Sequence, residues 1–104
     1  MADIDANIKR LGALGLEVQV TELDVRLRMP ANDASLIQQA NAYADYLQTC
    51  LANANCTMFV MWGLTDKYSW IPAAFPGVGA GLVFDEQYQP KAAYRALMDM
   101  LTGK

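Results

Sequence analysis

Two short apolar runs rich in β-preferring residues, at 16–24 and 56–62, are separated by one long segment of helical periodicity. This order constrains the fold more than any other feature of the chain. Strands joined by a helical crossover of that length return parallel, because a parallel connection needs a dozen or more residues. The connecting segment NDASLIQQANAYADYLQTCLAN offers Asn32 or Asp33 as N-cap and Leu36, Ala40, Tyr43, Leu47 and Leu51 as one apolar stripe. Ahead of the first strand, Ile4, Ile8 and Leu11 recur at helical spacing, with Asp3 available as a cap and Gly15 as a left-handed terminator. After the second strand, residues 63–81 are rich in Gly, Pro, Ser and aromatics, too long for an idle connection and typical of a functional loop. LVFDEQYQP reads as extended, and Pro90 stands where a last helix can start, with Tyr94, Leu97, Met98 and Leu101 as its stripe. The expected class is α/β. Two parallel strands alone leave both outer edges unpaired, so the chain is expected to associate with copies of itself or to be part of something larger.

Composition points the same way. Apolar residues make up 54% of the 104, above the roughly 45–50% usual for soluble domains. A chain of this size has difficulty hiding that much apolar surface by itself. The net charge of −3 without a basic cluster argues against nucleic acid and against an anionic membrane surface. No apolar run approaches the length of a membrane span. The opening MADIDANIKR lacks the order of a signal peptide, so any export signal is expected outside this sequence. Histidine is absent, and the two cysteines, Cys50 and Cys56, have neither redox-motif nor zinc spacing. A disulfide and an oxidising compartment are the natural reading, and two free thiols behaving as small apolar side chains are the alternative.

The stretch VQVTELDVRL raises the chemical question. Alternation places Glu22 and Asp24 on the strand face that carries Val18 and Val20, with Gln19, Thr21 and Leu23 opposite, and a bulge would change that parity. The run CTMFVMW at 56–62 reads as a strand buried on both faces. It ends at Trp62, and the loop beyond holds Asp66, Lys67, Tyr68 and Trp70. In parallel α/β architectures functional groups collect at the carboxyl ends of strands, which is where both features lie. A carboxylate beside indoles suits a sugar: the acid can stabilise or attack the anomeric centre while the indoles stack on pyranose faces. From spacing alone, an ion pair for Glu22, a turn cap for Asp24 and a core position for Trp62 stay open.

At VTELD (20–24), WGLTDKYSW (62–70), FPG (75–77) and Asp85 through Gln89, Pro90, Lys91 and Tyr94, the sequence resembles the C-terminal part of a family 10 glycoside hydrolase, an endo-1,4-β-xylanase. The resemblance covers nearly the whole chain and implies a fragment of a (β/α)8 barrel, about its last two βα units, with residues 1–104 an incomplete part of one catalytic domain. It further implies that Glu22 is the nucleophile of a retaining hydrolase, that Asp24 supports its hydrogen-bonded neighbourhood, and that Trp62 and Trp70 wall a sugar subsite. Cys50 and Cys56 match a disulfide that many members carry. Xylan or xylooligosaccharide is the implied ligand, secretion the implied location, and no cofactor or metal is implied.

The departures are equally specific. Nothing here resembles the family's acid/base motif, and without histidine the partner of the nucleophile's neighbourhood is missing. Ile71 stands where many members have Arg, and Ala92 where many have Pro. Retaining hydrolysis needs two carboxyl groups roughly 5–5.5 Å apart and flanking the bond, whereas Asp24 lies on the same side of the sugar as Glu22. The isolated chain is therefore expected to be weakly active or inactive. The alternative is an inactive, self-associating fragment that at most binds xylooligosaccharides.

Overall fold

The computed structural model describes residues 1–103. Helix α1 (Ala2–Ala13) leads into strand β1 (Val18–Leu23), and a short strand β2 (Leu27–Arg28) precedes the long helix α2 (Asp33–Leu51). Strand β3 (Cys56–Met61) follows, then a 3-10 turn (Asp66–Tyr68), a one-turn helix α3 (Ile71–Ala74), strand β4 (Val78–Gly79) and helix α4 (Ala92–Thr102). Strands β1 and β3 pair in parallel across the α2 crossover, as the spacing of the two apolar runs predicts.

Helix α2 begins as its sequence dictates. The Asn32 side chain accepts from the Ser35 amide and the Ser35 hydroxyl accepts from the Asn32 amide, so two orphan donors of the first turn are satisfied. Its inner face buries Gln39, Ala40, Tyr43, Leu47 and Cys50, whereas Leu51 is exposed, one turn beyond the useful stripe. Tyr43 and Leu47 meet Val83, Ala93 and Leu97 in one core, with Leu23, Val25, Phe59, Met61, Phe84, Tyr94 and Met100 packed around it. Cys50 and Cys56 form a disulfide, Cα–Cα 5.2 Å, tying the last turn of α2 to the start of β3. Asn53 donates to Asp5 Oδ1 and to Thr49 O, which joins α1 to the end of α2. That bond, aided by Lys9, holds the Asp5 carboxyl below its usual range.

Several expectations are corrected. Helix α1 starts at Ala2 with no side-chain cap, so Asp3 lies inside the first turn, where its charge favours the helix dipole instead. Strand β3 is not buried on both faces: Met58 and Val60 on one face are exposed, and so is Thr57. Helix α4 opens at Lys91 rather than Pro90, and Met98 and Leu101 are exposed beside a shallow apolar concavity of about 270 Å³ shared with Phe59 and Met61. The antiparallel pairing of β2 with β4 is too short to leave a period in the sequence.

The parity of β1 changes as well. Val20 pairs with Phe59 and Leu23 with Met61, so three steps on β1 face two on β3, and one extra residue lies between Val20 and Leu23. A bulge of this kind moves every later side chain to the other face. Leu23 and Val25 thereby join the helix-side core, and Glu22 and Asp24 leave the face of Val18 and Val20.

The loop following β3 is tied to the segment before α4 by the Thr65–Phe84 bridge, by the Thr65 hydroxyl donating to the Asp85 carbonyl, and by one buried charge pair. Lys91 Nζ donates to Asp66 Oδ2 at 2.8 Å and to the carbonyls of Ala80 and Leu82 at 2.7 Å each, using all three of its hydrogens. Asp66 Oδ1 accepts from the Leu82 amide. Replacing Lys91 by Met leaves a buried carboxylate and two carbonyls without their donor, a loss of about 3 kcal/mol expected in urea unfolding. A loss of a few tenths in Lys91→Met would show the pair to be dispensable.

Candidate functional site

The carboxyl ends of β1 and β3 lie side by side because the strands are parallel, and the backbone amide of Trp62 donates to the Leu23 carbonyl at 2.9 Å. Glu22 occupies the exposed final turn of the β1 pleat, and Asp24 follows it, half-buried. Trp62 and Trp70 expose 49% and 48% of their surface, so both indoles are available to a ligand rather than consumed by the core.

Trp70 is held from two sides. Its indole Nε1 donates to Asp24 Oδ2 at 2.9 Å, and its ring meets Phe75 edge-on with centroids 5.4 Å apart. The Arg26 guanidinium in turn lies 4.9 Å from the centre of the Phe75 ring. An acid of the β1 terminus and an aromatic wall of the loop after β3 are thus one hydrogen-bonded unit.

Behind this unit runs the segment Ala80–Gly81–Leu82. Gly81 passes so close that a β-carbon would sit 2.6 Å from Ile71 Cδ1, which would have to shift, and in ordinary contact with Asp24 Cβ at 3.6 Å. Its carbonyl accepts from the Val25 amide at 3.0 Å and from the Tyr43 hydroxyl at 2.5 Å. Gln39 Nε2 donates to the carbonyls of Val25 and Ala80, bridging the two segments from the α2 side. Burial, reinforced by the negative charges of Asp24 and then Asp66, pushes the Tyr43 phenol far above its ordinary range.

Sequence reasoning singled out Glu22, Asp24, Trp62 and Trp70, and the structure gathers all four at one end of the β1–β3 pair. The supports it missed are Gln39, Tyr43 and Lys91. Lys91 carried a signal, being a cation placed at the start of an otherwise apolar stripe, whereas Gln39 and Tyr43 on α2 carried none that names a partner 40 residues away. Among the described residues no cluster of acids and cysteines is arranged to hold a metal ion.

A parallel strand pair with its crossover helix, a long loop after the second strand and a closing helix constitute a piece of a (β/α)8 barrel. The sequence profile described as glycosyl hydrolase family 10 matches residues 1–100, and the chain belongs to that family. It is 49% identical over 85 residues to endo-1,4-beta-xylanase 2 of Aureobasidium pullulans, covering 82% of this chain and 24% of that one. Among solved structures, the Penicillium canescens endo-1,4-beta-xylanase XylE superposes with a TM-score of 0.93 at 38% identity, over 99% of this chain and 32% of that one. Xylanase 10B of Thermotoga petrophila, in complex with xylobiose, gives 0.91 at 39%, over 95% and 31%. The chain thus spans about a quarter to a third of the length of these relatives.

Two outcomes test this arrangement. In Asp24→Ala the Trp70 indole loses its acceptor, so its N–H resonance should move while that of Trp62 stays, at a cost of about 1 kcal/mol in stability. An unmoved Trp70 resonance would refute the contact. For Tyr43, the folded value lies above the unfolded 10.0, so its contribution is fully present below pH 10 and is lost as pH rises through the folded value. Unfolding measured from neutral to strongly alkaline pH should show this loss, and Tyr43→Phe should flatten it.

Proposed function

We propose that this chain is the C-terminal, nucleophile-bearing part of a retaining endo-1,4-β-xylanase that acts on xylan outside the cell. The observation that carries the reading is the bond from Trp70 Nε1 to Asp24, which joins the acidic end of β1 to an exposed indole in the family to which the chain belongs. Relatives named as endo-1,4-beta-xylanases, one of them solved with xylobiose, supply the substrate class. In this reading Glu22 attacks the anomeric carbon as the bond to the leaving oxygen breaks, and that oxygen takes its proton from an acid that lies outside this chain. Asp24 acts by orienting Trp70, while Trp62 and Trp70 stack on the sugar rings. The disulfide accords with an oxidising compartment. The 104 residues serve as one incomplete portion of a single catalytic domain, with no cofactor or metal.

The second reading is an inactive fragment that self-associates and at most binds xylooligosaccharides. It is favoured by the β1–β3 pair, which among the described residues has no third strand on either side, and by the apolar concavity at Met98 and Leu101. One set of measurements separates the two. Incubated with an activated aryl xylobioside, the chain should accumulate a covalent glycosyl adduct on Glu22 detectable by mass, absent in Glu22→Gln, with little turnover of xylan itself. Xylooligosaccharide binding should survive Glu22→Gln and fall about tenfold in Trp70→Ala. Binding without any adduct, together with a mass by light scattering that grows with concentration, would favour the second reading.

A further inference from the structure

Away from the Trp62 and Trp70 indoles, a second aromatic group lies exposed. Tyr68 and Tyr88 expose 73% and 50% of their surface, although they come from different parts of the chain, the 3-10 turn after β3 and the turn before α4. Between them stands Lys67, whose Nζ lies 5.5 Å from the Tyr68 ring centre and 5.8 Å from that of Tyr88. Among the described residues the ion pairs are Lys9 with Asp5 and Lys91 with Asp66, so the Lys67 ammonium has no carboxylate partner. In a chain of net charge −3, an exposed cation placed against two rings and left unpaired is poised for an anion from outside.

The backbone maintains this placement at a cost. Tyr88 has φ +61, a left-handed conformation that a bulky side chain rarely adopts. Asp85 holds it there: its Oδ1 accepts from the amides of Gln87 and Gln89, and its carbonyl accepts from the Tyr88 amide. The neighbouring Tyr68 side chain raises the Tyr88 phenol above its usual range. Asp66 is engaged by Lys91 and Asp85 by its own turn, while Glu86 in the same turn is exposed and makes no ion pair with Lys67.

Resting on the proposed action on xylan, we infer that Tyr68, Tyr88 and Lys67 form an accessory binding site for a pyranose that carries a carboxylate. The phenol faces supply the stacking surface for the ring, and the unpaired ammonium selects the acid. A neutral pyranose would gain only the stacking, which makes charge the discriminating property.

Titration calorimetry on the full chain tests this with two probes, neutral xylohexaose and a xylooligosaccharide of equal length bearing one glucuronic acid substituent. The acidic probe should bind about fivefold more tightly, an advantage expected of an exposed charge pair and reduced by salt. Lys67→Met should abolish that advantage while leaving the neutral probe unchanged. Tyr88→Gly, which removes one of the two stacking rings, should weaken both probes and narrow the advantage without endangering the fold, since a left-handed backbone suits glycine. Equal affinity of the two probes in the unaltered chain would overturn the accessory site and leave the xylan reading standing. An advantage that persists in both variants would likewise overturn it, and failure of both probes to bind would remove the xylan reading and this site together.

Discussion

The Lys91 ammonium is the constraint on which the rest of this structure depends. It is buried, and its three hydrogens go to Asp66, Ala80 and Leu82, so it fastens the loop after β3 to the segment that leads into α4. A buried charge is tolerated only when paired and fully hydrogen-bonded, and here both requirements are met by one side chain. Asp66 in turn takes the Leu82 amide, which leaves the Ala80–Gly81–Leu82 backbone with little freedom. The polar knot contributes geometry more than net energy.

From that fixed backbone the candidate site follows by contact. Gly81 lies against Ile71 and Asp24, and its carbonyl is claimed by Val25 and Tyr43. Asp24 then accepts from the Trp70 indole, and Phe75 closes the other side of the ring. An exposed indole held in this way is positioned before any ligand arrives, which spares the entropy of ordering it on binding. The bulge in β1 serves the same end, since the extra residue between Val20 and Leu23 separates the acids from the apolar face and gives that face to Leu23 and Val25.

Much of this was legible in the chain. Local chemistry specifies the Asn32 cap of α2, the left-handed Gly15 and the two strand runs, because each depends on neighbours a few residues away. The motifs VTELD and WGLTDKYSW announce the family, and residues 1–100 match its profile. Less legible were the uncovered face of β3 and the exposure of Met98 and Leu101. Their apolar character reads as burial, yet this chain spans only about a quarter to a third of its relatives and covers one side of them. The β2–β4 pair escaped notice because two residues per strand carry no periodicity.

The sequence by itself determined the order of elements, the parallel crossover, the cysteine pair and the presence of acids and indoles at matching strand ends. Each of these is written in spacing along the chain. Only the tertiary structure decided that β1 bulges before Leu23, that Trp70 leans on Asp24, and that one lysine near the end of the chain holds the loop beneath them. Those facts depend on groups 10 to 50 residues apart meeting within hydrogen-bond distance, and no local pattern encodes where a folded chain will bring its distant parts together.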